Sequence, residues 1–280
     1  MPTLWMLLAS FLFACMGVCV KLGSAQFSTG EMVFYRGLIN IAMMLGAARL
    51  QSLTLRTPHW RMHLSRSLTG ATALLCYFFA ISVLPLATAA TLSYTSPIFV
   101  ALLLTVLLRE RLRWPVLASV LIGFAGVVLL LRPTLQAGQW HGALVGLGGG
   151  LLASLAYISV RELGRAGEPE VRTVFWFSVV TTLLGLGWAL ADGFHMPDAG
   201  GIALLLGIGL FGGIAQIAMT RSYRFGATVV SANLSYSTVV FASLFGMLLW
   251  NEHLPPLAWL AIGLIIASGI TASLAVRRRR

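Results

Sequence analysis

The side chains able to carry acid–base or metal chemistry are eight carboxylates, five histidines and three cysteines. The carboxylates are Glu31, Glu110, Glu162, Glu168, Glu170, Asp192, Asp198 and Glu252, and each lies at or near the end of an apolar run. His59, His63, His141, His195 and His253 fall in the connections or at run ends as well. Hydrolysis or proteolysis within a bilayer would need a Ser–His pair, paired acids or a metal cluster at depth. No such set exists in this pattern, so no catalytic residue is assigned and the chain is not expected to be an enzyme. Cys15 and Cys19 are one helical turn apart, but no His or acid on the same run completes a metal site, so both read as small apolar packing groups. No metal and no cofactor is expected.

Polar groups inside apolar runs are costly in lipid unless they find a partner or water, so they mark a cavity. Arg36 is the one basic residue within a run. At 1.5 Å of rise per residue it lies about 10 Å below the start of its helix. It reads either as a counter-charge for a substrate carboxylate, or as a gate or structural partner of Glu31 or a helix carbonyl. Gln216 is a weaker candidate of the same kind. The densest polar clusters are Thr91 with Ser93 to Ser96, and Ser231, Asn233 and Ser235 with Tyr236 to Thr238. Residues three or four apart share a helical face. Ala87, Thr91, Tyr94 and Ile98 therefore form one stripe, and Val229, Asn233, Tyr236 and Val240 form another. The small hydroxyls also fit helix-to-helix hydrogen bonds worth about 0.6 kcal/mol each. The larger Tyr94, Asn233 and Tyr236 are expected at a cavity wall, with Ser237 beside them. Tyr77, Phe78 and Phe79, Tyr157, and Phe175, Trp176 and Phe177 would complete an aromatic pocket, although rings also face lipid and form interfacial belts.

The elements that must position these groups follow from composition. With 58% hydrophobic and 10% charged residues and a mean hydropathy of +0.89, the 280-residue chain holds more apolar surface than a soluble core could hide. About 20 apolar residues cross the hydrocarbon as a helix. Ten such spans are predicted: 2–20, 29–48, 67–85, 87–108, 114–131, 142–161, 172–191, 200–219, 227–249 and 256–275. The alternation of a barrel is missing, so the expected class is an all-α polytopic membrane protein. Sixteen of the nineteen basic residues fall in the even-numbered connections and the C-terminal tail, which puts both termini in the cytoplasm. These short basic loops meet lipid headgroups, not nucleic acid, so the pI near 10.8 is no sign of a duplex-binding domain.

Ala90-Thr91-Leu92-Ser93-Tyr94 running through Phe99, Leu102, Leu107, Glu110 and Leu112 recurs as Ala232-Asn233-Leu234-Ser235-Tyr236 running through Phe241, Leu244, Leu249, Glu252 and Leu254. Nine positions match at an offset of 142 residues. A fixed-period match of this length reports a duplicated unit. Residues 1–134 are expected to form the first repeat and 135–280 the second, with five spans each. An odd number of spans per repeat inverts the second copy in the membrane, the arrangement by which secondary transporters achieve alternating access. The glycines of spans six and eight, Gly142, Gly146, Gly150, Gly209 and Gly213, are expected chiefly at close helix contacts.

These features carry a resemblance. Glu31-Met32-Val33-Phe34-Tyr35-Arg36 in span two, the turn Leu84-Pro85-Leu86-Ala87, and an Ala89-x-x-Leu92-x-x-x-x-Pro97 helix that ends in Arg109-Glu110-Arg111 are similar to the EamA-type branch of the drug/metabolite transporter superfamily. Within that branch the chain looks most like the YddG-type bacterial exporters of aromatic amino acids. The resemblance implies ten helices in two inverted repeats, a place in the bacterial inner membrane, and export of small apolar metabolites, aromatic and other neutral amino acids foremost. A multidrug or cationic-compound exporter, a channel and a lipid-handling protein remain alternatives. Position 239, which matches Pro97, is Val, and span seven has no counterpart of Arg36, so the kink and the buried charge are expected in one half only. Without a deep carboxylate the usual proton relay is disfavoured, and passive flow and proton exchange both stay open. Membrane lipid and a small-molecule substrate are the expected partners, and a monomer suffices.

Overall fold

The computed structural model describes residues 2–84, 86–110, 112–132, 138–251 and 255–277, with side chains throughout except at 78, 81, 82, 86, 87, 276 and 277. The described residues are helical and contain no strand. In chain order the helices are α1 (Pro2–Gly23), α2 (Thr29–Leu50), α3 (Trp60–Val83), α4 (Leu86–Ser93), α5 (Ser96–Val106), α6 (Trp114–Leu131), α7 (Trp140–Arg165), α8 (Glu170–Asp192), α9 (Ala199–Phe225), α10 (Thr228–Leu234), α11 (Ser237–Trp250) and α12 (Pro256–Arg277). Nine segments among the described residues are long and apolar enough to cross a bilayer, with α4–α5 and α10–α11 each taken as one. Leu183, Leu190 and Leu248 are 63%, 68% and 76% exposed on the outer surface. Such faces would drive aggregation in water and suit a hydrocarbon solvent.

Local chemistry sets the helix ends. Ser28 caps α2 in a reciprocal box: its hydroxyl accepts from Glu31 N, and its own N–H donates to Glu31 Oε2 at 2.7 Å. Asp198 caps α9 through Gly201 N at 2.6 Å. The fourth and ninth sequence spans are not continuous helices. Each breaks at the repeated Ser-Tyr pair, between α4 and α5 at Tyr94–Thr95 and between α10 and α11 at Ser235–Tyr236. Pro97, in the first turn of α5, lacks the N–H that would continue the ladder. The second half, where Val239 replaces the proline, is broken too. There Ser235 Oγ donates to Ala232 O at 2.7 Å and Ser237 Oγ to Leu234 O at 2.6 Å, and the backbone tightens to three-residue bonds such as Tyr236 N to Asn233 O. The kink is therefore not confined to one half. The two broken spans also end alike: Arg109 and Asn251, 142 residues apart, are both left-handed, with φ of 51° and 52°.

Helices from residues 1–134 pack mainly against helices from 135–280. α2 lies along α8, α6 along α12, α1 along α9 and α3 along α7. Exchanging the two sets of helices in chain order turns the α1–α9 contact into the α7–α3 contact, and α1–α11 into α7–α5. The α2–α8 approach is close because small residues face each other. A Cβ on Gly30 would meet Ala189 N at 2.7 Å, and one on Gly185 would meet Phe34 N at 2.6 Å.

Candidate functional site

Where the two helix breaks meet, side chains from both sets of helices line a cavity of about 390 Å³. Ser93, Tyr94 and Ser96 border it from the first break, and Ser235 and Thr238 from the second. Tyr94 from the first break and Thr238 from the second both border it, so the breaks meet at the cavity. Met6, Phe13, Tyr77 and Phe177 give it an apolar and aromatic wall. Gln216 enters from α9, 4% exposed, with its Nε2 unpartnered.

Two guanidiniums complete the lining, Arg36 from α2 and Arg66 from α3. Arg66 is 3% exposed and stacks on the Phe177 ring at 3.9 Å, while its Nε and Nη1 have no hydrogen-bond partner. Arg36 Nε is likewise unpartnered. Each arginine occupies room left by a glycine. A Cβ on Gly212 would fall 2.9 Å from Arg36 Nε, and one on Gly70 2.5 Å from Arg66 Nη1.

A second crevice, about 480 Å³, lies at the arginine-rich end between Glu110, Arg113, Arg161, Arg224 and the start of α10. Tyr157 faces the first cavity and Tyr223 the second. Their rings stack at 5.0 Å and 12°, so the pair forms part of the wall between the two. Arg161 is ion-paired with Glu110 beside it, and Arg221 and Arg224 hold Glu170 at 3.2 and 3.0 Å. Between α7 and α8, Glu168 accepts from Thr57 Oγ1 at 2.5 Å and Arg172 Nη1 at 2.7 Å, with His63 Nε2 at 3.2 Å. Burial alone would raise its carboxyl, but these three partners more than offset that and hold it below the ordinary carboxylate range.

The residues singled out from sequence divide into two groups. Arg36, Tyr77, Tyr94, Tyr157 and Gln216 come together on the cavity. Thr91 is buried away from it. Asn233 and Tyr236 are 1% and 0% exposed in a packed seam against α6 and α12, where Asn233 Nδ2 donates to Ser268 O at 3.1 Å and Tyr236 stands behind Tyr94 with ring centroids 6.2 Å apart. Ser237 is spent on closing the break, and Pro97 opens α5 from a buried position. Trp176 donates to Leu55 O at 3.2 Å and packs edge-on to Phe175, away from the cavity. Of the alternatives for Arg36, the pairing with Glu31 does not form: the Glu31 carboxylate serves the α2 cap and takes His195 N at 2.6 Å and Nδ1 at 2.9 Å. The Phe78 side chain and Glu252 lie outside the described residues. Arg66 was missed because the third span, read from 67, left it in a connection. Helix α3 begins at Trp60, which carries Arg66 nearly two turns into it.

The family model for EamA-like transporters matches residues 1–132 and 140–274. The pseudopaline exporter CntI of Pseudomonas aeruginosa is 31% identical over 273 residues, covering 98% of this chain and 94% of that one. An uncharacterized transporter of Helicobacter pylori is 30% identical over 277 residues (96% and 93%), and a riboflavin transporter of Rhizobium johnstonii 27% over 274 residues (95% and 89%). A solved crystal structure superposes with a TM-score of 0.88 at 22% identity, covering 100% of this chain and 98% of the other, which establishes the shared fold.

Proposed function

Because the chain belongs to the EamA-like transporter family, we propose that it is a secondary transporter that exports small carboxylate-bearing metabolites with an apolar body. Aromatic and other neutral amino acids are the simplest members of that class. The observation that carries the reading is the cavity at the meeting point of the two broken spans. It combines an aromatic wall with a few fixed polar groups, the makeup of a site for an amphiphilic ligand. An aromatic substrate ring stacked on Tyr77 or Tyr94 would gain about 0.5–1.5 kcal/mol beyond its buried area.

Residues 1–134 and 135–280 act as two repeats of opposite orientation, with both termini in the cytoplasm of the bacterial inner membrane. Three observations support this: the family match in two segments, the reciprocal helix pairing, and the matching breaks and left-handed ends 142 residues apart. Discontinuous helices placed at a repeat interface are how such carriers build a site near the bilayer midplane. With the arginine-rich loops inside, the Tyr157–Tyr223 stack and the Arg161–Glu110 pair lie on the cytoplasmic side of the cavity. Rocking the repeats would open that side and close the other. Arg36 then serves as a counter-charge, and Pro97 fixes the first break. The packed wall between the cavities argues against a constitutively open channel, and the two guanidiniums argue against cationic drugs.

Purified protein in liposomes loaded with labelled phenylalanine, threonine or a cationic drug tests the reading. Saturable flux of the amino acids, and none of the drug, is the expected result. Drug flux alone, or conduction at channel rates, would overturn it.

A further inference from the structure

The two arginines set a charge problem that an aromatic cavity does not solve by itself. Among the described residues lining it, Arg36 and Arg66 are the charged ones, and no Asp or Glu faces them. Neither forms an ion pair among the described residues, and the two charges repel each other. Cations withdrawn from water cost several kcal/mol unless an anion or a set of acceptors meets them. The Phe177 face offsets part of that for Arg66 but leaves its Nε and Nη1 without acceptors. The helix breaks add to the same sign of field. Ser96, in the first turn of the 11-residue α5, and Thr238, in the first turn of the 14-residue α11, both border the cavity. Helix N-termini carry partial positive charge.

The geometry points to a substrate with two carboxylates, one taken by Arg36 and one by Arg66, and an apolar body lying against Tyr77, Tyr94 and Phe177. This deepens the transport reading and rests on it for the word substrate. A guanidinium presents a planar fork that binds a carboxylate through two parallel N–H···O bonds. Arg66 Nε and Nη1, both unpartnered, each belong to one of the two forks of the guanidinium, Nε with Nη2 and Nη1 with Nη2, so each edge of the group has an unpartnered donor for a carboxylate. A single carboxylate would satisfy one arginine and leave the other bare. Two acids on one molecule neutralise both, and the cavity of about 390 Å³ has room for a ring besides. The glycines fit this arrangement, since side chains at Gly212 and Gly70 would push Arg36 and Arg66 from their places.

Calorimetric binding to the full chain in phosphatidylcholine nanodiscs tests this with benzoylglutamate, which has two carboxylates, hippurate, which has one, and phenethylamine, which has none. Benzoylglutamate should bind at least about tenfold more tightly than hippurate, the scale of one charge-assisted hydrogen-bonded contact, and phenethylamine should not bind. Arg36→Gln and Arg66→Gln should each erase the preference for the diacid, and Arg66→Lys, which keeps the charge, should restore part of it. Equal affinity of the wild type for benzoylglutamate and hippurate overturns the inference, whether or not the variants fold. So does an unchanged ratio in both glutamine variants when they elute as single species. Binding needs no transport, so a diacid preference without flux would sink the carrier reading alone, and phenylalanine flux without that preference would sink this one alone.

Discussion

Gly123, midway along α6, is where the packed seam behind the cavity is tightest. A Cβ there would fall 2.6 Å from Ser268 Oγ on α12, 2.7 Å from Tyr236 Cδ2 in the second break and 2.8 Å from Asn233 Oδ1 on α10. Ordinary contact begins near 3.4 Å, so each neighbour would have to retreat by about 0.6–0.8 Å. They are poorly placed to do so. Ser268 is tied by its hydroxyl to Ile265 O at 2.8 Å, Asn233 is tied to Ser268 O, and Tyr236 is wholly buried. Overpacking of this kind costs about 1–3 kcal/mol, against a helix-propensity gain of roughly 0.8–1.0 kcal/mol for alanine over glycine. At Gly46 in α2, nothing lies within 4 Å of the same Cβ. Gly46→Ala should therefore keep the propensity gain without the clash. The difference in stability between Gly123→Ala and Gly46→Ala isolates the packing cost, about 1–3 kcal/mol, or a factor of about 5–150 in the folding equilibrium. Reversible unfolding by sodium dodecyl sulfate in mixed micelles, followed by circular dichroism, would measure it. Equal stabilities of the two variants would refute the reasoning and put Asn233 and Tyr236 beside open space.

Two further predictions concern the ends of the bundle. Glu168 is held below the ordinary carboxyl value of 4.5, so its contribution to stability is complete above that value and is lost as pH falls through the folded one. Thermal unfolding followed from pH 7 to pH 3 should show a wild-type decline below about pH 4.5 that Glu168→Gln lacks, the variant being less stable by about 1.5–3 kcal/mol at neutral pH. A parallel decline in the variant would assign the acid sensitivity elsewhere. Tyr157→Leu removes the stack on Tyr223, worth about 0.5–1.5 kcal/mol, and should raise the population opened on the arginine-rich side about 2–13-fold. Maleimide labelling of Ser235→Cys from that side should speed up accordingly, and an unchanged rate would show that the stack does not gate the cavity.

Periodicity and composition announced the helices, because a run of about 20 apolar residues has few other fates in lipid. The breaks in the fourth and ninth spans were hidden for a physical reason. Ser235 and Ser237 end a helix by turning their hydroxyls onto carbonyls a turn back, and the same residues can equally ride on an uninterrupted helix. Only Pro97 advertised its break. Tyr94 and Tyr236 occupy matching places in the repeat, yet one faces the cavity and the other the α6–α12 seam. A duplicated sequence specifies like helices, whereas the contacts between them depend on positions such as Gly123, whose missing side chain admits Tyr236 and Asn233 and whose counterpart at the 142-residue offset is Ile265. Arg36 stood out inside an apolar run. Arg66 did not, since a hydropathy boundary at 67 says nothing of where the helix starts.

Alternating access as proposed requires the two repeats to lie upside down with respect to each other. Arg109 and Asn251 are exposed, left-handed and 142 residues apart, so they mark corresponding ends of the two broken spans. With a single cysteine at either position and the native three removed, a membrane-impermeant maleimide applied to intact cells should label Asn251→Cys and spare Arg109→Cys until the membrane is opened. Labelling of both from the same side would contradict the inversion and, with it, alternating access through the seam.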